Sequence, residues 1–175
     1  MALTVEDGTA KTDADAFISV EFADTYHAGR GNATWDDGAE SAKEQAIRRA
    51  TAFLSSAFAW KGYPRLPRDQ ALAWPRTDVT DGEGWAVTAT AVPWEIQHAT
   101  AELALRELAS PGVMTPDYTP HDRKSAAQVG PVSVTYDLIR MDAEGARPEV
   151  LIVRDLIGGF LRPTGSRIAG EVARV

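Results

Sequence analysis

The strongest constraint on the fold is a stretch of helical periodicity between Ser41 and Trp60. Apolar residues recur there at spacings of three and four, which places them on one face of a helix. Ser41 and Glu44 have the spacing of a capping box, in which both side chains bond to free amides at the helix start. Gly62 and Pro64 end the helix. Because its apolar face needs a cover, the sequence predicts a bundle. The residues of that face are Ile47, Ala50, Phe53, Leu54, Ala57 and Phe58.

Further helices are predicted on both sides of this one. Ser19 is a suitable N-cap for a helix from Val20 to about Ala28. Pro93 suits the first position of a helix that runs to about Ala109, with a broad apolar face and with Glu102, Arg106 and Glu107 facing out. A last helix is predicted near Pro148.

The predicted β structure is small and peripheral. Residues 2–12 surround Asp7-Gly8, a strong turn signal, and are predicted to form a hairpin. Val132, Val134 and Tyr136 alternate with polar residues and predict a strand, with Pro131 favouring a sheet edge. The fold class is therefore mainly α, a small helical bundle with peripheral β-hairpin and strand elements and an extended C-terminal tail.

The length of 175 residues predicts one domain, over 1–159, followed by a docking tail over 160–175 that has too little apolar surface to pack alone. The absence of cysteine excludes a disulfide scaffold, a thiolate nucleophile and Cys-based metal sites. No apolar run approaches the length of a membrane span, and the N-terminus lacks the pattern of a secretory signal. We expect a soluble protein that is not exported by the usual route.

The net charge of −7 is unevenly distributed, because residues 1–45 hold ten acids and three bases while the remaining residues balance. An acidic chain lowers the expectation of a dominant nucleic-acid-binding surface. No nucleotide-binding or nucleophile motif is present, and we expect no enzyme activity, no cofactor and no metal. His98 and Glu102 share a helix face, and an acidic cluster lies at Asp36, Asp37, Glu40 and Glu44, but solvated surface positions explain both better.

The segment 60–76 carries the pattern most typical of nucleic-acid binding. Its four basic residues outnumber its single acid, and aromatic residues lie between them. Aromatic rings stack on bases and cations follow phosphates, which is how single strands are bound. The alternative is that Trp60 and Trp74 are core residues and that the arginines pair with carboxylates. The basic residues are Lys61, Arg65, Arg68 and Arg76.

Several strings of the chain, in this order, resemble one family. They are Ala16-Phe17-Ile18-Ser19 with Ala23, Tyr26 and Trp35; the helix Gln45 to Leu54; Gly62; Gln70-Ala71-Leu72-Ala73-Trp74-Pro75-Arg76; and Val92-Pro93 with Ala99 and Glu102-Leu103-Ala104. The chain is similar over residues 1–136 to the head–tail adaptor (connector) proteins of long-tailed bacteriophages and gene transfer agents. Some relatives carry the label of DnaT-like single-stranded-DNA-binding proteins.

The resemblance implies a structural virion protein. Such adaptors form a ring, expected to contain twelve copies, beneath the portal protein, where it extends the DNA channel and meets a downstream neck, stopper or tail-terminator protein. It places the protein at the capsid portal vertex, and in the host cytoplasm during assembly. DNA would pass through the lumen without specific binding.

The resemblance also implies roles for particular residues. One string is expected to serve mainly in packing, with Arg76 paired to a carboxylate. It consists of Gln70, Leu72, Trp74, Pro75 and Arg76. The edge strand at Val132, Val134 and Tyr136 is expected to pair with an adjacent subunit. The C-terminal segment is expected to bind the portal through Phe160, Leu161, Arg162, Arg167, Ile168, Val172, Arg174 and Val175. The alternative function is single-stranded-DNA binding.

Overall fold

The computed structural model describes residues 2–117, 126–129, 132–135 and 147–163 of the chain. Tyr136 and the tail residues Arg167, Ile168, Val172, Arg174 and Val175 lie outside these ranges. The described part is mainly helical, which confirms the predicted fold class. Its elements are α1 (Val20–Ala28), α2 (Ala33–Asp36), α3 (Glu40–Ala57), β1 (Tyr63–Pro64), β2 (Arg76–Thr77), α4 (Trp94–Ala109), β3 (Ala126–Val129), β4 (Val132–Thr135), α5 (Leu151–Ile157) and a 3-10 turn over Gly158–Phe160.

The centre of the fold is the packing of α3 against α4, with α5 on the other side of α4. The centres of the apolar stripes of the two long helices are buried, and their C-terminal ends are partly buried. Small residues such as Ala50 and Ala99 let the helix backbones approach, and the larger side chains fill the space beside them. This buried apolar area is what holds the bundle together. The larger side chains are those of Ile47, Leu54, Ile96 and Leu103.

The short helices α1 and α2 are attached to this pair by buried polar side chains. Ser19 caps α1 by accepting a hydrogen bond from the Phe22 amide, as the sequence predicts. The His27 Nε2 donates to the carbonyl of Ala101 on α4 at 3.1 Å, and its Nδ1 accepts from Asn32 at 3.0 Å. This arrangement fixes the neutral tautomer, and burial lowers the pKa of His27 below its usual value.

Two acidic side chains of α4 are buried, although the sequence pattern predicts that they face water. Glu107 accepts from Arg49 at 2.8 Å and from the amides of Gly112 and Met114. Glu102 accepts from the hydroxyl of Tyr26 at 2.9 Å and from Arg106 at 3.0 Å. Each carboxylate is satisfied by several donors, which is the condition for burying a charge. Periodicity alone does not reveal such partners.

The N-terminal segment differs from its predicted hairpin. Val5 forms a parallel bridge with Ala16. The turn between them wraps around the buried carboxylate of Glu6, which accepts hydrogen bonds from the amides of Gly8, Ala10 and Lys11 at 2.8–2.9 Å. The Asp7-Gly8 turn signal is correct, because Gly8 has a φ of +95°. The pairing it predicts is wrong, since the side chain of Glu6 takes the place of a second strand.

Other element ends shift by small amounts. Helix α3 begins at Glu40 with Ala39 as N-cap and no side-chain cap, so the predicted capping box at Ser41 does not set its start. Strand β4 covers Val132 and Val134 and pairs antiparallel with β3. The sequence pattern does not predict β3, because its residues lack an alternating pattern. No helix in the described part of the chain is long and apolar enough to cross a membrane.

A row of aromatic rings closes one end of the bundle. Trp74 is fully buried and meets both Trp60 and Phe160 edge-on, with ring centroids 5.6–5.7 Å apart. Trp60 in turn contacts Phe58. Because Phe160 lies in this row, the C-terminal segment begins as part of the body. Leu161 forms a bridge with Trp60, and Arg162 donates to its carbonyl at 2.8 Å. The predicted docking tail over 160–175 therefore does not start at residue 160, because residues 160–162 pack against the rest of the domain.

Replacing Trp74 tests this aromatic row. We expect Trp74→Ala to lower the free energy of unfolding by about 3–5 kcal/mol, because it removes a large buried side chain and leaves a cavity. Urea unfolding followed by circular dichroism measures the change. Trp85→Ala is the matched control, since Trp85 is 71% exposed and its loss is expected to change the free energy by less than about 0.5 kcal/mol. Equal effects of the two substitutions would contradict the assigned role of Trp74.

Candidate nucleic-acid interface

The segment that the sequence singles out for nucleic-acid binding forms a short antiparallel ribbon. Tyr63 pairs with Thr77 and Pro64 with Arg76. The amide of Arg65 extends the ladder by donating to the carbonyl of Pro75 at 3.2 Å. Because side chains alternate along a strand, Tyr63 and Arg65 project from one face and Pro64 from the other. The ribbon thus has an outer face and a face toward the body.

Gly62 lets the ribbon close tightly at its start. Its φ of +61° lies in the left-handed region, and a Cβ at this position would come within 2.0 Å of the carbonyl oxygen of Thr77. Only glycine combines this backbone conformation with such a close approach. The end of the ribbon near Trp60 therefore depends on the glycine that the sequence pattern assigns to ending α3.

Gln70 holds the loop that joins the two strands. Its side-chain nitrogen donates to the carbonyls of Leu72 and Pro75 at 2.7 and 3.1 Å, and its side-chain oxygen accepts from the amide of Leu66 at 2.9 Å. All of its strong polar groups are thus used within the loop. Leu72, Trp74 and Pro75 are buried beneath it, and the Trp74–Pro75 peptide bond is cis.

Arg76 is buried and bonds only to main-chain oxygens. It donates to the carbonyls of Lys61, Gly62 and Ala73 at 2.8, 2.9 and 3.1 Å. Within the described residues it has no carboxylate partner, so the predicted ion pair is wrong. Burial, followed by the neighbouring charge of Arg162, lowers the pKa of Arg76. Its planar fork donates to three carbonyls from three separate nitrogens, whereas a lysine carries all of its donors on one nitrogen.

The two tryptophans of the segment are not available to stack on bases. Trp60 and Trp74 are 4% and 0% exposed. Their indole nitrogens are buried and have no hydrogen-bond partner within the described residues. Both rings serve the core instead. This removes two of the three aromatic residues on which the nucleic-acid pattern depends.

Tyr63 is the aromatic residue that remains, with 64% of its surface exposed. Arg65 lies on the same side of the ribbon, and its guanidinium donates to the carbonyl of Gly8. Arg68 is exposed at the tip of the loop, where its φ is +70°. Arg162 approaches the carbonyl of Gly62, next to Tyr63 in the chain. We call Tyr63, Arg65, Arg68 and Arg162 the ribbon surface.

The charge of this surface is positive and uncompensated. None of its arginines forms an ion pair within the described ranges, and the same holds for nearby Lys61. Lys61 instead donates to the carbonyls of Gly159 and Thr80 at 2.6 and 3.3 Å. Of the arginines in the sequence pattern, Arg68 is exposed and Arg65 is half-buried. The pattern misses Arg162, which lies far along the chain and carries no local signal.

The other candidate sites do not come together. Glu102 is engaged by Tyr26 and Arg106, and His98 packs among aromatic rings, including Trp94 at 5.0 Å. Asp36, Asp37 and Glu40 are exposed, while Glu44 lies 3.7 Å from Arg48. No three His, Asp or Glu side chains in the described ranges are grouped closely enough to hold a metal ion.

The comparison with protein families identifies the chain. A family described as "Putative DnaT-like ssDNA binding protein" matches residues 1–175, the whole of the sequence. The chain therefore belongs to this family. No curated protein and no solved structure matches it. The family description agrees with the DnaT-like label that some relatives carry. It does not test the role of a phage adaptor.

Arg76 provides a test of how the surface is supported. We expect Arg76→Ala to lower the free energy of unfolding by about 1.5–3 kcal/mol, because three buried carbonyls lose a charged donor. Arg76→Lys is expected to recover only part of this loss. Thermal unfolding measures both. Arg68→Ala is the control, since Arg68 is exposed and bonds to nothing described, and an equal loss there would contradict a specific role for Arg76.

Proposed function

We propose that the chain binds single-stranded DNA through the ribbon surface. The observation that carries the proposal is an exposed tyrosine on a rigid ribbon, beside arginines without carboxylate partners, in a chain whose net charge is −7. The family description supports the same activity. A group of arginines without ion-pair partners gives an acidic protein a local positive potential that attracts anions. No reaction and no cofactor are part of this function.

The geometry gives each side chain a distinct contact. The ring of Tyr63 offers an open face on which one base can stack, a contact that accepts any base. Arg68 is exposed on the loop and can reach a phosphate directly, while Arg65 and Arg162, which donate to the carbonyls of Gly8 and Trp60, add positive charge beside it. Phosphate contacts set position and affinity without reading sequence. We therefore expect binding with little sequence preference and with a strong dependence on salt.

The decisive measurement is fluorescence anisotropy of a labelled oligothymidylate. We expect Tyr63→Ala to weaken binding by about 5- to 150-fold, since stacking contributes about 1–3 kcal/mol per base. Arg68→Ala is expected to reduce the slope of log affinity against log salt by about 0.7, the value for one phosphate contact to a single strand.

The controls separate this surface from general loss of an aromatic or a charge. Trp85→Ala removes a more exposed ring outside the ribbon, and Arg147→Ala removes an exposed cation outside it. Neither is expected to change the affinity. Binding by the unaltered chain that is insensitive to salt, or equal losses in the control variants, would contradict the proposal.

A second proposed function is that of a head–tail adaptor in the virion neck. The observation that favours it is a set of large apolar side chains left in water, which marks interaction surfaces. As an adaptor the chain would form a ring, expected to contain twelve copies, between the portal and a downstream neck protein, with DNA passing through. The exposed side chains are those of Trp85, Trp94, Leu151 and Ile152.

Light scattering after size exclusion, on the chain mixed with its portal ring, tests the adaptor function. We expect a particle of fixed stoichiometry that persists at moderate salt. Arg167→Glu, in the segment expected to bind the portal, should reduce co-elution, whereas the matched reversal Arg147→Glu should not. Separate elution of the chain and the portal ring at all salt concentrations would rule the adaptor function out.

A further inference from the structure

A groove that includes none of the residues of the ribbon surface opens on the described part of the molecule. Its walls are the turn after Thr80, the start of α4, and α5 with the following 3-10 turn. It encloses about 440 Å³. The 3-10 turn and the first wall meet where Gly159 and Gly82 approach so closely that a Cβ on Gly159 would lie 2.7 Å from the Gly82 nitrogen. The base of the groove is therefore a tight, glycine-dependent contact.

The lining of the groove is apolar below and acidic at the rim. Phe160 and Leu156 form apolar lining that is at least partly buried, while Trp94 and Ile152 line it with 55% and 44% of their surfaces exposed. The charged side chains that line the groove are all acidic and are those of Asp81, Glu95 and Asp155. No basic residue is among the described lining residues.

The three carboxylates differ in their surroundings: Asp81 accepts from the amides of Glu83 and Trp85 at 2.9 Å, and the Lys61 ammonium lies close by, where it donates to the carbonyl of Gly159. None of them forms an ion pair within the described ranges. Partial burial, together with the charge of Asp81, raises the pKa of Glu95 above its ordinary value. A cationic ligand would relieve this repulsion, and an apolar one would cover Trp94 and Ile152. The groove thus fits a peptide that alternates basic and apolar residues.

The C-terminal segment of this chain has that composition. Residues 164–175 contain Arg167 and Arg174, interleaved with Ile168, Val172 and Val175, and one acid. The segment also starts close to the groove, because Phe160 lines the groove and the described chain ends three residues later. Five residues span at most about 17 Å, so Ile168 lies within short reach of Pro163.

We propose that this groove binds the C-terminal segment, residues 164–175, with its arginines at the acidic rim and its apolar residues on Ile152 and Trp94. Charge complementarity and the short tether carry the assignment, since a tether raises the local concentration of the segment without any new contact. The proposal does not depend on single-stranded-DNA binding, and it gives Trp94 and Ile152 a different partner from the one that the adaptor function would give them. It assigns a binding partner to the exposed apolar side chains of α4 and α5.

Disulfide trapping in the full chain tests the proposal cleanly, because the sequence contains no cysteine. One variant combines Ile152→Cys with Ile168→Cys. The matched control combines Leu66→Cys with Ile168→Cys, since Leu66 is 42% exposed, close to the value for Ile152, but lies on the ribbon loop. We expect the groove pair to cross-link about tenfold faster or more, under mild oxidation followed by non-reducing electrophoresis.

Charge reversal and competition complete the test. Arg167→Glu together with Arg174→Glu is expected to slow cross-linking of the groove pair, and a synthetic peptide of residues 164–175 is expected to compete with it. Cross-linked monomers support the proposal, whereas cross-linking found only in dimers would overturn it, because the tether acts only within one chain. Equal rates for the two pairs, or a rate that charge reversal leaves unchanged, would overturn it. If Ile152→Cys unfolds the chain, the exposed Asp155→Cys replaces it.

Discussion

The hydrogen bonds of the buried Arg76 guanidinium hold the ribbon of β1 and β2 in place. They join the carbonyls of Lys61 and Gly62, which precede β1, to that of Ala73, which precedes β2. The strands themselves are two residues long and could not hold a ribbon by their own ladder. Burying a positive charge without a carboxylate is costly, and the bonds to three carbonyls offset that cost only when the loop is in this one arrangement. Arg76 therefore fixes where Tyr63 and Arg65 point.

This arrangement separates the most distinctive string of the sequence from the residues proposed to bind. The most conspicuous residues of the string face inward. The side chain of Gln70 bonds within the loop, and those of Leu72 and Trp74 are buried in the core. The side chains proposed to meet a ligand are ordinary in the sequence, a tyrosine and three arginines, two of which also donate to main-chain carbonyls. A recognisable string can thus be the scaffold of a site, while the contacts to a ligand come from less distinctive neighbours.

The sequence predicts the long helices well and the site only in part. Periodicity locates α3 and α4, and the Ser19 cap locates the start of α1, because these signals depend on nearby residues. The buried carboxylates Glu6, Glu102 and Glu107 escape such reasoning, since their donors lie in other elements or in a turn whose shape the side chain itself sets. The same holds for Arg162, which reaches the ribbon from about a hundred residues away. Long-range polar contacts decide where charge is buried, and spacing along the chain does not encode them.

The two proposed ligand surfaces have opposite charge but share one support. Lys61 bonds through its carbonyl to Arg76 and through its ammonium to Gly159 and Thr80, which belong to the walls of the groove. A change at Tyr63 alters only the ribbon surface, and a change at Ile152 alters only the groove. A change at Arg76 or Lys61 loosens both the ribbon surface and the groove, because it removes hydrogen bonds that join the ribbon to the groove wall. A variant that loses both DNA binding and tail docking would therefore have lost the hydrogen bonds around Lys61 and Arg76. A variant that loses only one of the two would have lost contacts of that surface alone.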